Sequence, residues 1–157
     1  MIEKSRLDAP PTQPQHDDLH FDLDRALKSL VALQAKIPDD AFTAGILGSE
    51  RSGSGVVIRD SGLVVTIGYL ITEAESVWLT AADGRVTPAH PLAYDQETGF
   101  GLVQALGPLD LPALELGRMS DAAIGDPVVV AGGGSAPITR ALIVGRQEFA
   151  GYWEYLL

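Results

Sequence analysis

Histidines, glycine-flanked serines and clustered carboxylates are the side chains of this sequence that could move protons or attack a bond. His16 and His20 stand four apart beside Asp17, a spacing that puts two imidazoles on one face of a helix and could hold a metal. No third ligand stands nearby, so a solvent role is the reading there. His90, beside Pro91, falls in the apolar run Arg85–Leu92, where a strand at a rim is expected. Ser52 and Ser54 alternate with Gly53 and Gly55, a pattern that serves close backbone approach in a strand. Gly132-Gly133-Gly134-Ser135 lacks both the lysine of a phosphate loop and the glycine after an elbow serine, so it reads as a turn. Glu73 and Glu75 sit in a polar connection and, with Asp83, read as a solvated acidic face. No metal and no cofactor are expected from these groups.

Composition narrows the chemistry further. The 157 residues contain no cysteine, which removes disulfides, thiolate metal sites and thiol nucleophiles. Twenty-one acidic against eleven basic residues leave a net charge of −10, so nucleic acid and anionic membranes are poor partners. No apolar stretch approaches the roughly 18–20 residues of a membrane-spanning helix. The N-terminus lacks the apolar core of a signal peptide. The expected compartment is the cytoplasm, or the periplasm where a leader has been removed.

The elements that must position these residues change character near residue 40. All seventeen glycines lie beyond that point, and all three lysines before it. Residues 1–16, with Pro10, Pro11 and Pro14, read as a loosely docked tail. Leu19, Leu23, Leu27, Leu30 and Val31 recur at intervals of three and four, which predicts one amphipathic helix over about 18–37, capped by Asp17 or Asp18 and ended by Pro38. Beyond it, short apolar runs at 41–47, 55–58, 63–67, 76–80, 85–92, 101–106, 127–131 and 138–144 predict strands. Asp83-Gly84 between two of them marks a hairpin. Short strands with glycine and proline turns point to an all-β barrel or sandwich.

The order of these pieces resembles a known family. Gly53-Ser54-Gly55-Val56-Val57-Ile58, Asp60-Ser61-Gly62-Leu63-Val64-Val65-Thr66 and Ala82-Asp83-Gly84-Arg85 resemble the first barrel of the HtrA/DegP-type trypsin-like serine proteases. The likeness continues through Asp95-Gln96-Glu97-Thr98, Pro112–Gly117 and Gly125–Gly132. It implies a first β-barrel over 41–117 and the start of a second over 118–157. It also implies a triad in which a histidine takes the serine proton and a carboxylate orients that histidine. The histidine position falls on Tyr69, in Thr66-Ile67-Gly68-Tyr69, and the aspartate position on Gly99, in Thr98-Gly99-Phe100. A phenol titrates at about pH 10 and is a poor general base. Glycine has no side chain at all. Tyr69 is expected to pack into the vacated cleft, with His90 as a second cleft residue.

The final stretch, with Phe149, Tyr152, Trp153, Tyr155, Leu156 and Leu157, is densely apolar and is expected to meet a partner. That partner is either a second polypeptide completing the second barrel or another copy of this chain. The function the resemblance implies is an inactive protease homologue that binds or scaffolds peptide or protein. The alternatives are the N-terminal part of a processed hydrolase whose nucleophile lies on another fragment, and a structural assembly subunit.

Overall fold

A computed structural model describes residues 19–134 and 138–147. The tail at 1–16, the caps expected at Asp17 and Asp18, and the apolar residues from Phe149 to Leu157 lie outside them. The helix expected over 18–37 is corrected. Only α1 (Leu23–Lys28) is helical, and Asp22 caps it by accepting the Arg25 N–H at 2.9 Å. Ser29 ends it, donating its N–H to the Ala26 carbonyl at 3.1 Å. The remainder is strand β1 (Leu30–Lys36), in which Val31, Leu33 and Ala35 are buried and the residues between them face outward. The leucine spacing fits a helical period, but β1 pairs with one strand on each side. Two ladders and a buried row outweigh local propensity.

The second correction is at 41–47, where the expected strand is a loop carrying one short helix, α2 (Ala44–Leu47). Then follow β2 (Glu50–Arg59), β3 (Leu63–Ile67), β4 (Ser76–Thr80), β5 (Val86–Tyr94) and β6 (Phe100–Ala105). Their spatial order is β1-β2-β3-β6-β5-β4, closing back onto β1. The barrel thus begins at Leu30, not at residue 41. Closure leaves no exposed edge. The β4–β5 hairpin turns at Asp83-Gly84, where Gly84 takes φ +85°, a left-handed conformation glycine adopts without steric cost. Leu33, Ile37, Val57, Val64, Val77, Leu79 and Val103 fill the interior, an aliphatic core as the sparse aromatics require.

Beyond β6 the chain runs back along the barrel, and the Leu114 N–H donates to the Val57 carbonyl at 2.8 Å. Strands β7 (Pro127–Val130) and β8 (Thr139–Leu142) then form a separate antiparallel pair. The glycines after β7 dock on the barrel. The Gly133 N–H donates to Ser54 Oγ at 2.9 Å, and a Cβ at Gly133 would stand 1.9 Å from the Val31 carbonyl oxygen. Only glycine lets the two backbones approach so closely. Among the described residues, no helix is long and apolar enough to cross a membrane.

Candidate functional site

Strands β3 and β6 run antiparallel with Thr66 opposite Gly101 and Ile67 opposite Phe100. The end of β3 and the start of β6 therefore meet at one end of the barrel. There the Gly68 N–H donates to the Gly99 carbonyl at 2.7 Å, so the 3-10 turn Gly68–Leu70 that carries Tyr69 lies beside Gly99. The structure brings the two sequence-predicted positions together.

Each has a local cause. Gly99 takes φ +76° and closes the turn from β5 to β6, donating its N–H to the Asp95 carbonyl at 2.9 Å. A side chain there would be strained. Asp95, the nearest carboxylate in sequence, is spent on the same turn. It accepts the Thr98 hydroxyl at 2.7 Å and the Glu97 N–H at 3.1 Å. The Thr98 hydroxyl, then the Glu97 N–H, hold its carboxyl below the usual carboxylate value. Tyr69 is 39% exposed at this end of the barrel. The ring beside Gly68 is that of Tyr94, which a Cβ on Gly68 would meet at 2.0 Å.

Beneath this turn lies a residue that sequence reasoning missed. Arg51 is only 5% exposed, and its guanidinium donates to the carbonyls of Gly48, Tyr69 and Thr72 and to Thr43 Oγ1. The Thr43 hydroxyl passes the connection on by donating to Glu73. Glu73 also accepts the backbone N–H groups of Thr43 at 2.8 Å and Phe42 at 3.1 Å. It is therefore a loop clamp rather than part of a merely solvated acidic face. The Thr43 hydroxyl, then the Thr43 N–H, lower its carboxyl from the ordinary value, with Arg51 contributing further. One buried cation thus ties β2, the 42–48 loop and the Tyr69 turn together. Strand parity held the signal: counting back by twos from buried Val57 puts Arg51 on the inward face.

His90 does not join this site. It pairs with Gln104, which pairs with Leu63, at the far end of β3. At about 3.3 Å per residue that is roughly 13 Å along the sheet from Ile67. His20 precedes α1, and no cluster of ligands able to hold a metal occurs among the described residues. Ile67, Tyr94 and Phe100 are all exposed at this end of the barrel, Phe100 by 60%.

A six-stranded closed barrel with this order of turns defines a class. Residues 53–154 match the family model of the trypsin-like peptidase domain, and the chain belongs to that family. Within it the fold is of the HtrA type. The chain is 32% identical over 81 residues to serine protease HTR4 of Rattus norvegicus, covering 52% of this chain and 17% of that protein. It is 31% identical over 80 residues to a probable periplasmic DegP-like serine endoprotease of Rickettsia conorii, covering 51% and 16%. The solved HtrA-type protease AlgW with tripeptide superposes with a TM-score of 0.64 at 21% identity, over 82% of this chain and 40% of that one. The chain thus spans about a sixth of the length of the curated relatives it matches.

Proposed function

We propose that this trypsin-like domain is catalytically inactive and binds extended peptide or protein segments at the Tyr69 end of its barrel. The observation that carries this reading is the adjacency of the Tyr69 turn and Gly99, the two positions that the family resemblance aligns with the base and the orienting carboxylate. The exposed side chains around them form an apolar platform, and the Arg51 network holds its floor still. The solved structure of AlgW with tripeptide supports peptide as the ligand class for such a fold. Extended peptides bind by main-chain pairing, with alternate side chains set into pockets.

The partner we propose for β7 and β8 is a further strand, from the remainder of a longer chain, a second polypeptide or another copy. Among the described residues these strands pair only with each other, and a two-stranded sheet is marginal in water. Val130 and Leu142 on them are exposed. Comparing native with denatured mass tests this.

Two measurements test the main reading. A serine-reactive fluorophosphonate is expected to leave the chain, and any complex it forms, unlabelled; labelling refutes inactivity and favours the processed hydrolase. Tyr69→Ala and Phe100→Ser are expected to weaken binding of an extended-peptide library at least about tenfold each, in the range of interface anchors. Unchanged binding in both removes the platform from the reading.

A further inference from the structure

Trp78 lies on the outer face of the barrel, and nothing above gives it a role. It is 44% exposed in a chain with only two tryptophans. Its outward direction follows from strand parity, since Val77 and Leu79 on either side are buried. Gln34 stands opposite it on β1, and Ser52 stands opposite Gln34 on β2. Two residues further along, Lys36 faces Glu50. With Ala35 and Arg51, these five residues line an open depression of about 390 Å³.

The polar side chains of this depression are uncommitted. Among the described residues, Gln34, Lys36, Glu50 and Ser52 make no side-chain hydrogen bond or ion pair. Elsewhere on the barrel such groups are engaged, as in Asp83 with Arg85 at 2.7 Å and Asp95 with Thr98. Here a carboxylate, an ammonium, an amide and a hydroxyl surround a half-exposed indole, and all of them stand on strands of a closed barrel. A site built on rigid elements lowers the ordering cost of binding.

The chemistry selects the ligand. Lys36 faces Glu50, and the Arg51 guanidinium is spent on Gly48, Tyr69, Thr72 and Thr43, which leaves no free cation to attract phosphate, and the chain's net charge of −10 repels polyanions. One carboxylate is too few for a cation site, and no metal cluster is found among the described residues. Three strands about 4.8 Å apart and a two-residue step of about 7 Å give a footprint of roughly 10 by 7 Å. A stable protein interface needs about 800 Å² per partner, far more than this. A sugar ring matches the remainder. Its C–H face lies flat against an indole, and each hydroxyl both donates and accepts. Glu50 accepts, Lys36 donates, and Gln34 and Ser52 do both. We propose that the Trp78 depression binds a neutral saccharide of one or two rings.

The depression and the Tyr69 platform meet at Arg51, which lines the first and bonds the Tyr69 carbonyl in the second, so the test leaves Arg51 and the platform residues unchanged. The full chain carrying Trp153→Phe, so that Trp78 alone reports, is titrated with cellobiose, maltose and N,N′-diacetylchitobiose while indole fluorescence is followed. One of these is expected to give a saturable blue shift. Saturation-transfer NMR with that sugar is expected to lose its signal in Trp78→Ala and to weaken it at least fivefold in Glu50→Gln, with circular dichroism unchanged. The proposal is overturned if none of the three saturates by 20 mM (about 2.3 kcal/mol of affinity). It is equally overturned if the sugar signal survives Trp78→Ala, or if a zwitterionic dipeptide saturates the indole response where the sugars do not.

Discussion

Replacing Arg51 by methionine is the sharpest test of how the Tyr69 turn is held. Methionine matches much of the aliphatic stem, so packing is largely kept while the guanidinium is lost. Four hydrogen bonds go with it, and three backbone carbonyls, of Gly48, Tyr69 and Thr72, lose a charged donor. Bonds from charged groups contribute about 1.5–3 kcal/mol each in isolation. They are not additive here, because the carbonyls of an exposed turn recover water once the turn loosens. Desolvating the guanidinium also costs part of what its bonds return. A net loss of about 3–4 kcal/mol is expected, a large share of the roughly 5–15 kcal/mol that holds a domain. With a urea slope of about 1.5 kcal/mol/M, the unfolding midpoint falls by about 2 M. Arg51→Lys, which keeps the charge but not the planar fork, falls between the two. Amide exchange at Leu70 and Ile71 is expected to accelerate more than exchange in β6. A midpoint shift below about 0.5 M for Arg51→Met would falsify the claim that this cation organises the turn.

Two further outcomes follow from the same geometry. Gly133→Ala places a Cβ against the Val31 carbonyl, and a backbone atom cannot swing aside. The loop is expected to lift from β1, costing about 1–3 kcal/mol and opening residues 131–134 to proteolysis; an unchanged digestion pattern contradicts the docking. Glu73 has its carboxyl lowered from 4.5, and Asp83 and Asp95 have theirs lowered from 3.8. A depressed carboxylate stabilises the fold above its unfolded value, and that contribution is lost as pH falls through the folded value. Stability is expected to drop on acidification below about pH 4.5, starting with Glu73. Glu73→Gln is expected to flatten the upper part of that slope in urea titrations at stepped pH, and an unaltered slope contradicts the clamp.

The barrel was legible wherever period two was uninterrupted. Leu63–Ile67 and Ser76–Thr80 have the bounds their alternation predicts, and Asp83-Gly84 turns where a hairpin signal stands. β1 was not legible, because Leu-Val-Ala-Leu-Gln-Ala-Lys also fits a helix and the deciding term is pairing with strands up to fifty residues distant. The juxtaposition of Tyr69 and Gly99 came from the family resemblance alone. No spacing rule joins positions thirty residues apart that meet through one backbone bond. Arg51 was hidden by its type. A charged residue ahead of Ser-Gly-Ser-Gly invites an exposed reading, and only its phase with Val57 places it inside.

The closure of the barrel through β1 has a consequence during synthesis. Leu30–Lys36 leaves the ribosome ahead of the other barrel strands, yet its second ladder partner, β4, ends at Thr80. At about 5–20 residues per second, β1 waits roughly 2–9 s for that edge to be covered. The backbone of Gly133, which comes to rest on Val31, arrives later still. Throughout that interval the nascent chain presents a hydrophobic strand with one open side. A strand in that position is a natural substrate for a chaperone that shields it until the barrel can close.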